Sequence, residues 1–186
     1  MRAKALVVAA LFLMAAVPAH AKNWQIDYAH SKLGFIGDQN GEKFSGRFRK
    51  FDAHISFDPD HLDESKISVT VDTASATTGD DEWDSYLPQD SWFDVAVFPA
   101  ARFVATKFHQ TAKNAYEAEG SLTIKGVTRD LTLPFTLTQE GDHWRAHGHI
   151  ALMRNDFSIG SGSFADPAYV KNAVEVVVDL AARPMP

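Results

Sequence analysis

The side chains with the most chemical potential cluster in one short run, His143-Trp144-Arg145-Ala146-His147-Gly148-His149-Ile150. On a strand, alternation sets His143, Arg145, His147 and His149 on one face, opposite Trp144, Ala146, Gly148 and Ile150. His147 and His149 would stand ~7 Å apart, a spacing from which two imidazoles can converge on zinc. A zinc site needs a third protein ligand, and none is identifiable; this face is also the outer one if Trp144 and Ile150 point inward. Metal binding or hydrolysis at the His147/His149 pair is therefore the alternative reading, and no metal ligand is assigned. Asp80, Asp81, Glu82 and Asp84 could supply a general acid and base, but crowded on one polar segment they better suit a solvated helix start. Arg154 and Asp156 continue the phase of Ile150 and Leu152, so both are expected to point inward, where a charge is costly unless paired. They make either a structural ion pair, which burial itself demands, or a contact with a bound headgroup. Asp27 and His30 present the same choice. There is no G-x-S-x-G, no H-E-x-x-H and no glycine-rich phosphate loop, so no catalytic residue is assigned and no enzymatic activity is expected.

The elements that would carry these residues are strands. In Ile67-Ser68-Val69-Thr70-Val71-Asp72 and in Leu131-Thr132-Leu133-Pro134-Phe135-Thr136-Leu137, apolar residues recur with period two, as they do in Val174 to Leu180. The β-branched content reinforces the assignment. Weaker alternation predicts strands over 24–27, 31–36, 51–57, 101–108, 116–124 and 143–153. Lys125-Gly126-Val127-Thr128 and Glu140-Gly141-Asp142 read as hairpin turns. Pro134 lacks an amide donor, which places its strand at an edge or a bulge. One helix is expected over Asp80 to Leu87, with acids at its start and Pro88 just beyond its end. Eight or nine short strands without βα alternation describe an all-β antiparallel barrel or sandwich. Thirteen Phe and four Trp suit an apolar pocket and a packed core equally well.

The ends set the compartment. Met1-Arg2-Ala3-Lys4, the apolar run Ala5 to Val17, and Pro18-Ala19-His20-Ala21 spell a secretory signal peptide, 1–21, cleaved after Ala21. The run is too short to span a bilayer. Cleavage leaves 165 of the 186 residues, 22–186, as one domain, and loss of Arg2 and Lys4 moves the formal charge from −6 to −8. An acidic exported chain with no basic block is a poor partner for nucleic acid. No later stretch is apolar for long enough to make it an integral membrane protein with a spanning helix, while an outer-membrane barrel would need its apolar face outward, which phase alone does not decide. The absence of Cys excludes disulfides, thiolate metal sites and a lipidated N-terminal Cys.

Five clusters in order carry a family resemblance. Trp24-Gln25-Ile26-Asp27-Tyr28-Ala29-His30-Ser31 with Phe35 follows W-x-I-D-x-x-H-S-x-x-x-F, and Gly46 to Phe51 with Ile55-Ser56-Phe57-Asp58-Pro59 follows G-x-F-x-x-F and I-x-F-D-P. Trp92-Phe93-Asp94-Val95-Ala96-Val97-Phe98-Pro99 matches F-F-D-V-x-x-F-P save for its Trp. Gly120 to Thr128 matches G-x-L-T-I-K-G-V-T, and Arg154-Asn155-Asp156-Phe157-Ser158-Ile159 matches R-x-D-F-G-I with Ser158 in place of Gly. The chain resembles the YceI-like family of lipocalin-like polyisoprenoid-binding proteins. That resemblance implies an exported, periplasmic, eight-stranded antiparallel lipocalin-like barrel with a short helical insertion. Its central apolar tunnel would hold a polyprenyl chain, the tail of an isoprenoid quinone or another lipid for transport or storage, with no other cofactor. With apolar faces inward, the expected ligand-binding residues are Phe35, Phe48, Phe51 and Phe57 near the start. Val69, Val71, Leu122, Ile124, Leu133 and Phe135 follow along the middle strands, and Ile150, Leu152, Arg154, Phe157, Val176 and Val178 complete the wall. Affinity would follow chain length, at about 0.8 kcal/mol per buried CH₂. A homodimer is left open.

Overall fold

The structure, a computed structural model, describes residues 21–185; of the expected signal peptide only Ala21 lies within them. Ten strands form one antiparallel sheet: β1 (Asn23–Gln39), β2 (Glu42–Phe48), β3 (Phe51–Ser56), β4 (Lys66–Asp72), β5 (Ala76–Thr77), β6 (Ala100–Ala112), β7 (Ala115–Ile124), β8 (Val127–Glu140), β9 (His143–Met153) and β10 (Ala173–Pro184). Each neighbours the next along β10-β9-β8-β7-β6-β4-β3-β1, and β10 pairs back onto β1, closing an eight-stranded barrel. The remaining two, β2 and β5, extend one side of it: β2 lies on the second half of β1, and β5 on β2.

Register explains why the alternation works. Leu33 faces Val178, Val178 faces Gly148, Gly148 faces Phe135, and Phe135 faces Tyr116. On the other side Val71 faces Ala101 and Phe51, while Val69 faces Phe103 and Ala53. Because pairing matches the apolar face of every strand to that of its neighbour, a one-residue slip anywhere would turn a whole strand inside out. Both expected hairpins form, with Ile124 facing Val127 across Lys125-Gly126 and Glu140 facing His143 across Gly141-Asp142. The expected helix is α1 (Asp81–Tyr86), capped by the Asp80 side chain accepting from the Trp83 amide.

Two expectations change. The stretches 24–27 and 31–36 belong to the single strand β1, and β2, which carries no clear alternation, was not expected as a separate strand. Pro134 sits on an interior strand rather than an edge: it pairs with Glu117 of β7. On its other side, however, the ladder to β9 begins only at Phe135, so the missing donor coincides with the end of pairing.

A bulge in β1 lets one strand serve both ends of the barrel. Asp27 faces Ala181 and Lys32 faces Asp179, so Tyr28 to Ser31 oppose Leu180 alone. The Asp27 carboxylate accepts from the amides of Ala29 (3.1 Å) and His30 (3.3 Å) and from His30 Nδ1 (2.8 Å). Ser31 Oγ donates to the Asp27 carbonyl (2.7 Å) and accepts from the Ala181 amide (3.0 Å). Asp27, His30 and Ser31 thus supply the hydrogen bonds that the bulge takes from the ladder. The His30 hydrogen bond, joined by its charge and by the two amides and opposed by partial burial, holds the Asp27 carboxyl below its ordinary value. A depressed carboxylate stabilises the fold above its unfolded value and loses that contribution as pH falls through the folded one. Asp27→Asn is therefore expected to lower the urea midpoint near neutral pH and to converge on the parent as pH falls below the ordinary carboxylate range. A gap constant over that range would show that the carboxylate charge does not hold the bulge.

Candidate functional site

The inward faces of all eight barrel strands surround a cavity of about 190 Å³. Its wall is apolar throughout; Arg102, exposed at its border, is the single charged residue among those around it. Water inside would find no hydrogen-bonding partners, although the space is many times the 10–15 Å³ or so that one molecule needs. Left empty, the void costs on the order of 5 kcal/mol at about 24 cal/mol per Å³. Val69, Val176 and Val178 are inward-facing yet only half-buried, because they face this space.

Aromatic clusters sit at both ends. At one, Phe57 makes edge contacts with Phe108, Tyr116 and Phe135, and Trp24 meets Trp144 edge-on at 5.8 Å. The Trp24 indole donates to the Phe57 carbonyl at 2.8 Å. At the other end a second small core of Leu87, Trp92, Phe157, Ile159 and Val170 gathers Trp83, Tyr86, Phe93 and Phe164. It is built from α1 with its following loop and from the segment joining β9 to β10. Phe93 belongs to this cap and to the tunnel wall at once.

Thirteen of the expected wall residues surround the tunnel: Phe48, Phe51, Phe57, Val69, Val71, Leu122, Ile124, Leu133, Phe135, Ile150, Leu152, Val176 and Val178. Three lie elsewhere. Phe35 keeps the inward phase but lies beyond the tunnel, its ring flat over Gly46, where a Cβ would overlap it. Phe157 is buried in the cap. Arg154 corrects both readings offered for it, since it pairs neither with Asp156 nor with anything in the tunnel. After Met153 the chain leaves strand geometry for a short 3₁₀ turn, Arg154–Phe157, which breaks the phase from which inward charges were inferred. The wall also includes Leu33 and Leu131, in phase with the predicted Phe35 and Leu133, Phe103 of β6, a strand from which no wall residue is predicted, and Phe93, whose loop has no period to reveal it.

The Arg154 side chain, 4% exposed, spends all five donors on backbone. Nε donates to Lys171 O (3.1 Å), Nη1 to Ile159 O and Gly160 O (2.8 Å each), and Nη2 to Phe164 O and Val170 O (2.7 Å each). Burial pulls its pKa down from the ordinary value, and five carbonyl dipoles stand where a carboxylate would be expected. A Cβ on Gly160 would collide with the guanidinium. The whole cap segment between β9 and β10 is thereby wrapped around one cation.

A family model for the YceI-like domain matches residues 24–182. The chain belongs to the YceI-like family. A UPF0312 protein of Pseudomonas syringae pv. syringae is 34% identical over 156 residues, 79% of this chain and 81% of that one. A UPF0312 protein of Vibrio vulnificus is 31% identical over 177 residues, 88% and 94% respectively. Among solved structures, Burkholderia cenocepacia BcnA superimposes with a TM-score of 0.82 at 30% identity, covering 84% of this chain and 99% of BcnA. A polyisoprenoid binding domain from Saccharophagus degradans shares the fold, with a TM-score of 0.70 at 14% identity over 87% of this chain and 98% of that one.

In this YceI-like chain the polar residues of the matched clusters build the barrel and its cap. The outward His face is as expected: His147 and His149 are exposed, and Asp179 is engaged by Arg145 at 2.8 and 2.9 Å. Among the described residues no three His, Asp or Glu side chains gather around a common point. Asp84 turns from its acidic neighbours to Thr77 Oγ1 and to the amide (2.6 Å) and hydroxyl (2.8 Å) of Thr78. Burial works to raise its pKa, and these donors together bring it below the ordinary value, which suits a structural carboxylate and not a general acid. Ser158, where the family pattern has Gly, takes φ 56°, so the position does require left-handed backbone. Ser158→Gly is expected to raise stability by about 0.5–1 kcal/mol in chemical denaturation. Arg154→Lys is expected to lose on the order of 3–5 kcal/mol, close to Arg154→Ala, because three donors cannot serve five buried carbonyls. A fully stable lysine variant would refute the hub role.

Proposed function

We propose that this YceI-like protein is an exported binding protein that takes a long apolar amphiphile, a polyisoprenoid, an isoprenoid quinone or another lipid, into its tunnel for transport or storage, without transforming it. The observation that carries the reading is a wholly apolar cavity of about 190 Å³ held open inside a closed barrel. Such a space is stabilised only by a guest that restores the missing dispersion contacts and asks for no hydrogen bond in return. Each buried CH₂ contributes about 0.8 kcal/mol, so a prenyl chain of a few units binds without a polar anchor. The name of the Saccharophagus degradans domain, a polyisoprenoid binding domain on the same fold, supports the same class of guest. The basic start, the short apolar run and Ala19-His20-Ala21 support export to the periplasm with Lys22 as the mature N-terminus.

Native mass spectrometry of freshly purified protein, followed by organic extraction, tests the proposal. A stoichiometric prenylated or long-chain species is expected with the parent. Val178→Trp fills the tunnel and is expected to cut that load at least tenfold, while thermal unfolding stays cooperative and overpacking costs no more than about 1–3 kcal/mol. A parent carrying no apolar species, or a filled variant carrying as much as the parent, would overturn the reading. Recovery in osmotic-shock fluid with Lys22 first in N-terminal sequencing is the expected result for export.

A further inference from the structure

The barrel wall is not hydrogen-bonded all the way round. Strands β8 and β9 pair only from Phe135 facing Gly148 to Glu140 facing His143. Beyond that point Val127 to Pro134 keep their partners on β7, and His149 to Met153 keep theirs on β10, so two strand edges face each other unpaired. The Pro134 carbonyl lies beside Gly148, and in a strand the N–H of a residue points to the same side as its C=O. The donor that proline lacks is therefore one the ladder to β9 would need next. At the far end of the seam the β7–β8 hairpin is drawn toward the cap, with Lys125 Nζ donating to Asp90 O and, at 3.1 Å, to Ser158 O.

The seam is lined for an apolar guest. Extending the register would set Leu133 opposite Ile150 and Leu131 opposite Leu152, and all four border the tunnel. Among the described residues no side-chain hydrogen bond, ion pair or ring contact crosses from 127–134 to 149–153. The short ladder between β1 and β3 makes a useful contrast. There the Tyr28 hydroxyl donates to Asp52 Oδ1 (2.8 Å) and accepts from the Ala53 amide (3.2 Å), and its ring packs on Phe51, lacing the gap shut. Aromatic cores occupy both barrel ends, and the unlaced gap is a weak line in the wall between them.

We propose that the β8–β9 seam is the lateral passage through which an apolar chain enters and leaves the tunnel. The proposal rests on the binding reading above. The chain has no Cys, so Thr132→Cys with Ala151→Cys, both exposed and opposite each other in the extended register, gives a clean lock, closed by oxidation or by a short bis-maleimide. Lys107→Cys with Glu119→Cys, facing residues of the β6–β7 wall, which pairs along its length apart from bulges after Ala105 and Gln110, is the control. The probe is cis-parinaric acid, a polyene that fluoresces in apolar surroundings, added to delipidated protein by stopped flow and displaced by excess geranylgeraniol. Locking the seam is expected to slow uptake and release at least tenfold, with the dissociation constant changed less than threefold, and reduction to restore both rates in the disulfide form while the thioether-bridged maleimide form stays slow. The control lock is expected to leave them unchanged. Pro134→Val, which returns the donor, is expected to slow exchange in the same direction. A locked seam that exchanges at the unlocked rate would overturn the passage and leave binding intact. Failure of the unlocked protein to take up any probe would overturn the binding reading itself.

Discussion

Everything in this molecule depends on the pairing of its first strand with its last. Without the β1–β10 ladder the sheet would be an open ribbon with two long apolar edges, free to pair with other chains. With it, eight strands close into a ring whose interior is too wide for these side chains to fill completely. The ring fixes the circumference, and the side chains then decide how much of the enclosed space remains. Here they fill both ends with aromatics and leave the middle, walled by valine, leucine, isoleucine and phenylalanine, unfilled. The bulge at Tyr28 to Ser31 belongs to the same constraint. One strand must turn from pairing with β3 to pairing with β2 while staying on β10, and the hydrogen bonds lost in the turn are made good by Asp27 and Ser31.

The two plugs solve their problem differently. One is ordinary apolar packing, rings edge to edge with a tryptophan tied to a carbonyl. The other must hold a long connection against the barrel end, and there a single buried guanidinium collects five carbonyls from residues far apart along that connection. A lysine or a carboxylate pair would leave some of those carbonyls unsatisfied, which is why a planar five-donor group stands at the position. The cost of keeping that cation out of water is met by the dipoles it orders.

The fold was legible wherever period two meets a buried face. Leu131, Leu133 and Phe135, or Ile67, Val69 and Val71, announce their side of the sheet by spacing alone, and most of the tunnel wall follows from such runs. What spacing could not announce was where a strand stops being a strand. Continuing the phase of Ile150 and Leu152 predicts Arg154 inward, one residue past the point where the chain turns. Its real partners are backbone carbonyls, which leave no mark in a sequence. Phe35 has the predicted inward direction yet lies beyond the tunnel, because phase gives a face and not a height along the barrel axis. Phe93 was missed because a loop residue has no period at all. The unfilled interior was legible only through resemblance, since the same composition packs a solid core as readily.

The placement of charge restricts how any guest could be recognised. The titratable side chains that first suggested chemistry are committed outside the tunnel: Asp27 and His30 to the bulge, Asp84 to two threonines, Arg145 to Asp179, and Arg154 to the cap. The tunnel wall is left with dispersion and shape as its means of discrimination. Such a wall distinguishes guests by length, branching and stiffness, through how completely they refill the space between two fixed plugs, and gives little weight to their polar groups. A polar headgroup would have to stay where water can reach it. The seam beside Pro134 has that property without unpacking an aromatic core, because exposed Thr132, Pro134 and Ala151 line its outer side. The same missing amide that ends the β8–β9 ladder thus leaves an exposed outer side beside an apolar interior, which is the arrangement that an amphiphile requires.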